Sequence, residues 1–175
     1  MLPILQLIVD TIASVLGGVL LLRFWMQAIR VRPPSSVAQF IFTLSDWLVK
    51  PLRRIVPGAG GYDWASLIGA FLVVLLATSI LFIVGASFEQ VLLLALARFV
   101  KWIIYGFIAL LIIEAIFSWV NPHAPLAPFV HALNDPLLRP IRKVVPPIGG
   151  LDLSVLVAVL LLQIALYLLR TVVPI

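Results

Sequence analysis

Four runs of apolar residues, each long enough to cross a lipid bilayer, constrain this chain more than any other feature. A spanning helix needs roughly 20 predominantly apolar residues. The runs fall at about Ile4–Ile29, at Trp64–Ala86, within Val91–Val120 (membrane core Trp102 to Trp119) and at Leu153–Val173. Hydrophobic residues are 63% of the 175 and charged residues 11%; an average soluble domain has about 25% charged. A soluble chain of this length would leave much of that apolar surface in water. Lipid removes the difficulty. Trp25, Tyr62, Trp64, Trp102 and Trp119 stand near several run ends, where aromatic rings anchor spans at the interface. The first run lacks a basic leader and is too long for a signal-peptide core, so it reads as a retained span. The sequence predicts an all-α polytopic membrane protein with four transmembrane helices.

Internal repetition comes next. A shift of 89 residues lays Asp46 on Asp135, Pro33 on Pro122, Phe40 on Phe129, Leu44 on Leu133 and Leu48 on Leu137. It continues with Pro51 on Pro140, Arg53 on Arg142, Val56 on Val145, Pro57 on Pro146, Gly60-Gly61 on Gly149-Gly150 and Asp63 on Asp152. Lys50 opposite Arg139 and Arg54 opposite Lys143 keep their charge, and no gap interrupts Pro33 to Leu67. The chain therefore divides into two modules, 1–89 and 90–175, each with two spans and a connecting loop (35–56 and 124–145). An even number of spans per module makes the copies enter the membrane in the same direction, as parallel repeats about an axis along the membrane normal.

The basic residues set orientation. Arg23, Arg30, Arg32, Lys50, Arg53, Arg54, Arg139, Arg142 and Lys143 lie at the loops of the two modules, against Arg98, Lys101 and Arg170 on the opposite side. Positive-inside bias places the loops in the cytoplasm and both termini outside. The net charge of +5 then fits anionic lipid headgroups, and no aromatic-rich basic face of a nucleic-acid binder is present.

Within the first loop, Val37, Phe40, Ile41, Leu44, Leu48, Leu52 and Ile55 recur at helical spacing. The second repeats this with Phe129, Val130, Leu133, Leu137, Ile141 and Val144. Such basic amphipathic helices lie in the interface plane. Pro51 and Pro140 are expected to break each into two pieces, with Asp46 and Asp135 as N-caps of the second piece. Gly60-Gly61 and Gly149-Gly150 permit a tight turn, and Asp63 and Asp152 are expected to cap the following spans; a cation site is the alternative. Arg53, Arg54, Arg142 and Lys143 are candidates for lipid contact and topology, or for a specific anionic partner.

Ionisable residues at membrane depth need partners or a function. Asp10 and Arg98 fall at matching outer depths of the first and third spans, and Arg23 and Glu114 at matching inner depths, which predicts two opposite-charge pairs joining the modules. A proton or ion path is the sharper alternative. His123 and His131 have no metal-ligand cluster around them. Cysteine is absent, and neither a nucleophile–base signature nor a nucleotide-binding loop occurs. The expectation is no enzyme, no cofactor and no metal.

Leu-Leu-Leu-Arg-Phe-Trp-Met-Gln at Leu20–Gln27, Pro-Leu-Arg-Arg at Pro51–Arg54, Asp-Pro-Leu-Leu-Arg-Pro-Ile-Arg at Asp135–Arg142 and Gly-Gly-Leu-Asp at Gly149–Asp152 resemble the YggT family, whose Gram-positive and plastid relatives are called YlmG. The resemblance covers nearly the whole chain; it departs at Trp47, where the second module has Pro136. It implies a small bacterial inner-membrane protein connected with tolerance of osmotic or other envelope stress, plastid relatives connected with cytochrome assembly and nucleoid organisation, and no catalytic residues to carry over. The expected function is a non-enzymatic membrane scaffold or assembly factor, with anionic lipids and other membrane proteins or further copies of the chain as partners. The competitor is a channel formed by an oligomer, since Thr78, Ser79 and Gln163 are too few polar groups to line a pore within one chain.

Overall fold

The computed structural model describes residues 2–145 and 152–173. Its order is α1 (Leu2–Ala28), α2 (Ser35–Ile55), α3 (Trp64–Thr78) continuing as a 3-10 segment (Ser79–Val84), α4 (Phe88–Val120), α5 (Ala127–Arg142) and α6 (Leu153–Val172). Among the described residues the only strand-like pairing is one bridge between Ala59 and Tyr62. Four helices among the described residues have the length and apolarity to cross a membrane: Ile4–Ala28, Trp64–Val84, Phe88–Val120 and Leu153–Val172. The protein is all-helical and multi-pass.

Local chemistry accounts for where the helices begin and end. Asp63 caps α3 by accepting from the Ser66 backbone N–H, and Asp152 caps α6 by accepting from that of Ser154, each satisfying a donor that a helix start leaves free. The second span tightens into 3-10 geometry at Ser79 and stops at Gly85, whose φ of 86° is open to glycine. Two residues later Ser87 and Gln90 form a reciprocal capping box. This cap starts α4 at Phe88, ahead of the expected Val91, and makes α4 33 residues long, more than a bilayer requires. The α2–α3 turn uses Gly60 and Gly61 at φ 67° and 82°. The equivalent Gly149 and Gly150 lie outside the described residues.

α1 packs on α3, α3 on α4 and α4 on α6, with α1 also touching α4. Lipid is as apolar as a leucine side chain, so close packing, not removal from water, holds helices together at membrane depth. Gly17 shows this: a Cβ there would stand 2.1 Å from the Trp102 ring, so only glycine lets α1 approach α4. At the loop end α2 rests on α1 and α3, and α5 on α4 and α6. One core joins Leu20, Val49, Ala65 and Ala70, and another joins Leu111, Leu138 and Ala158. Val49 and Leu138 are both fully buried and 89 positions apart. A third core crosses between them, with Val19 and Met26 of α1 against Ile41 of α2 and Leu133 of α5. Trp25 fastens it by donating its indole N–H to the Leu133 carbonyl at 2.9 Å and meeting Phe107 edge-on at 5.0 Å.

The loop prolines do not break the helices as the sequence suggested. α2 runs through Pro51, and α5 runs through Pro136 and Pro140. Each proline removes one backbone donor, but the flanking turns are pinned. Leu52 packs against Gly69 beside buried Val49, and buried Asn134 donates to the Leu110 carbonyl at 2.9 Å. Such tertiary contacts carry a helix across a locally unfavourable residue. Asp46 and Asp135 consequently lie inside α2 and α5 and are not helix caps.

Candidate functional site

The loop end of the bundle holds two clusters of ion pairs, one around α2 and one around α5. In the first, Arg23 comes from α1 and is only 6% exposed. Its guanidinium donates to Ser45 Oγ at 2.6 Å and to Asp46 at 2.8 Å, with Nε 3.5 Å from Asp63. The Phe42 ring lies 4.8 Å from its charge centre, an attractive cation–π distance. Arg53 of α2 reaches Asp63 through two N–H groups at 2.7 and 3.2 Å, and Lys50 pairs with Asp46 at 2.9 Å. Asp63 also accepts from Ser66 Oγ at 2.6 Å, so one buried carboxylate ties α1, α2 and α3 together.

The second cluster is built on the same plan. Arg142 of α5 donates to Asp152 at 2.8 and 2.9 Å, ten residues ahead in the chain as Asp63 is ahead of Arg53. Ser154 Oγ donates a hydrogen bond to Asp152. Arg139 pairs with Asp135 at 2.5 Å, and Arg142 stands 3.8 Å from Asp135. Where the first cluster has Arg23, the second has Glu114 from α4. Glu114 contacts Arg142 at 3.4 Å and His131 Nδ1 at 2.9 Å. Its other oxygen is buried without a hydrogen-bond partner among the described residues. A cavity of about 420 Å³ opens here, lined by Glu114, His131, Arg142 and Asp152 with Phe117 and Pro128.

Arg23 and Glu114 therefore do not meet, contrary to expectation. Each is met by its own loop helix, Arg23 by Asp46 and Glu114 by Arg142 and His131, which satisfies the charge inside its own half of the bundle. At the far end, Arg98 binds Asp10 through two contacts at 2.9 and 3.2 Å and also reaches Thr78 Oγ1 at 3.3 Å. Of the four basic residues singled out in the loops, Arg53 and Arg142 are engaged by carboxylates, whereas Arg54 and Lys143 make no ion pair among the described residues. Ser45, Ser66, Ser154 and His131 complete the clusters. Ser66 three residues after Asp63 is a capping spacing readable from sequence; His131 gives no such signal, because its partner is 17 residues away.

The loop-end carboxylates are held in their charged form. Lys50 and then Arg23 hydrogen-bond Asp46 and lower its pKa. Burial alone would push the Asp63 carboxyl up, but the Arg53 and Ser66 hydrogen bonds outweigh it and the pKa falls. Asp152 behaves likewise, with burial overcome by Ser154 and Arg142.

The profile of the CCB3/YggT family matches residues 1–84 and 93–173. The chain belongs to the CCB3/YggT family. It is 34% identical to the uncharacterized protein YggT of Escherichia coli (strain K12), over 91% of this chain and 86% of that protein. An uncharacterized protein of Pseudomonas aeruginosa is 37% identical over 90% of this chain and 83% of its own length. One of Vibrio alginolyticus, described by its position 3' of proC, is 33% identical over 97% and 95%. No solved structure matches. The chain covers most of each relative, so both ion-pair clusters of this YggT-family protein lie within the matched region.

Proposed function

We propose that this YggT-family protein is a non-enzymatic scaffold or assembly factor of the bacterial inner membrane. In this reading it consists of two tandem modules, 1–89 and 90–175, with α2 and α5 lying in the cytoplasmic interface and both termini outside. The resemblance to YggT proteins connects that role with osmotic and envelope stress. The observation that carries the proposal is the division of labour among loop cations. Arg53 and Arg142 hold the helices together, while Arg54 and Lys143, at equivalent positions next to them, are free of carboxylates among the described residues. Exposed Trp47, Ile55 and Val144 flank them. Free cations beside exposed apolar groups suit an anionic leaflet or an acidic membrane partner. The groove between α1 and α4, about 360 Å³, is lined by Gly18, Leu21, Leu22, Trp102, Gly106 and other apolar residues and does not favour a channel.

The test is recovery of bound lipid and protein from native membranes. Arg54→Glu with Lys143→Glu should cut the anionic phospholipid and the crosslinked membrane proteins that copurify, with the fold intact. Unchanged recovery would remove the proposed surface. Solute flux through proteoliposomes of the purified protein would overturn the scaffold reading in favour of a channel.

A further inference from the structure

We infer that α6 is a dimerisation helix, pairing with α6 of a second copy of this chain through a seam centred on Gln163. Gln163 lies midway along α6, is exposed, and makes no hydrogen bond to any described residue. A primary amide facing hydrocarbon with its donors and acceptor unmet is costly, so this side chain calls for a partner outside its own bundle. α6 is also the least covered span: 11% of its apolar window is buried, against 22% for the first span and 28% for the second.

The pattern around Gln163 is that of a helix-pairing seam. Leu156, Leu160, Gln163 and Tyr167 are all exposed, and their spacing of four, three and four is the a/d rhythm of a two-helix interface. Ala158 lies on the opposite side of the helix and faces the rest of the bundle, as Leu166 does from the flank. Arg170, the next position in the rhythm, is turned toward Tyr105 Oη at 3.2 Å, so it remains with its own chain and does not set like charges against each other.

The chemistry identifies the occupant as a second copy. Two copies inserted in the same membrane share one orientation, so a two-fold axis relating them runs along the membrane normal and α6 pairs in parallel with itself. Each seam residue then faces its own counterpart, as an isologous interface requires. An amide both donates and accepts, so Gln163 is complementary to Gln163 of the second copy, and polar side chains of this kind join helices in lipid. This inference does not rest on the scaffold reading and would hold equally for a channel.

The chain has no cysteine, so single cysteines report proximity cleanly. Leu160→Cys and Tyr167→Cys, in the full chain in native membranes under mild oxidation, should give a disulfide-linked species of twice the chain's mass. Leu161→Cys and Leu168→Cys, exposed on a different flank of α6, should give little. Adding Gln163→Leu to Leu160→Cys should reduce the dimer about threefold to tenfold, in the range of one interhelical hydrogen bond in lipid, and Gln163→Asn should retain most of it. Because Gln163→Leu removes an exposed polar group from hydrocarbon, it leaves the monomer's folding intact. Equal crosslinking on both flanks, no species of twice the mass, a product of another mass, or a dimer indifferent to Gln163→Leu would each overturn the inference.

Discussion

At the residue scale the protein treats each buried charge as a local problem. Arg23 is nearly inaccessible and its partners are Ser45, Asp46 and Asp63. Removing one side of such a pair strands the other in a poor solvent, a more serious loss than the net value of the pair. Arg23→Ala should therefore lower stability in detergent by about 3 kcal/mol, the low end for a buried pair because Asp46 is partly exposed. A double-mutant cycle of Arg23→Ala with Asp46→Ala should show strong coupling, whereas one with Glu114→Gln should be additive. Significant coupling between Arg23 and Glu114 would contradict the two-cluster arrangement. The acid response follows from the same groups. Asp46, Asp63 and Asp152 all have folded pKa values below the ordinary 3.8. A depressed folded pKa contributes stability that is complete above the unfolded value and is lost as pH falls through the folded one. Thermal melts should thus be flat near neutrality and fall below about 3.8. Asp63→Asn should melt lower at neutral pH and lose less on acidification.

At the scale of the element, packing overrides local preference twice. The loop helices continue through Pro51, Pro136 and Pro140 because buried neighbours hold the turns in place: Val49 before Pro51, Asn134 and Leu138 on either side of Pro136, and Leu138 before Pro140. In the spans, the absence of a side chain is the feature that matters. Gly17 admits the Trp102 ring where a Cβ would stand 2.1 Å away, whereas Gly18 has nothing within 4 Å. Gly17→Ala should lower the melting temperature by the equivalent of roughly 1–3 kcal/mol, the usual cost of overpacking. Gly18→Ala should be neutral or mildly stabilising, since alanine favours helix over glycine. A pair of melts in the same detergent separates the two, and equal effects would show that α1 and α4 are not in close contact at this level.

For the whole molecule, the distribution of basic residues makes a prediction about orientation. Reporters fused at residues 35 and 125 should read cytoplasmic, and reporters at either terminus external. A cytoplasmic C-terminus would reverse the proposed placement of both ion-pair clusters and of Arg54 and Lys143. The bundle also distributes its order unevenly. The loop end carries the dense hydrogen-bonded clusters, while α6 is the span least supported by its own chain, as suits a surface left for association.

The features legible from the sequence alone are those written in long apolar runs and in local spacing. The four spans follow from apolar length, because lipid demands an uninterrupted hydrogen-bonded helix. Asp63 and Asp152 as caps also follow, since capping is local; matched depth made Asp10 and Arg98 candidates for a pair, and the facing of α1 and α4 brings them together. The tertiary structure decided the partners of Arg23 and Glu114. Depth along a helix says nothing about which face a side chain presents, and each loop helix folds back to supply a charge that no helical periodicity could place. It also decided that Asp46 and Asp135 serve ion pairs inside continuous helices, because whether a proline bends or breaks a helix depends on what packs around it.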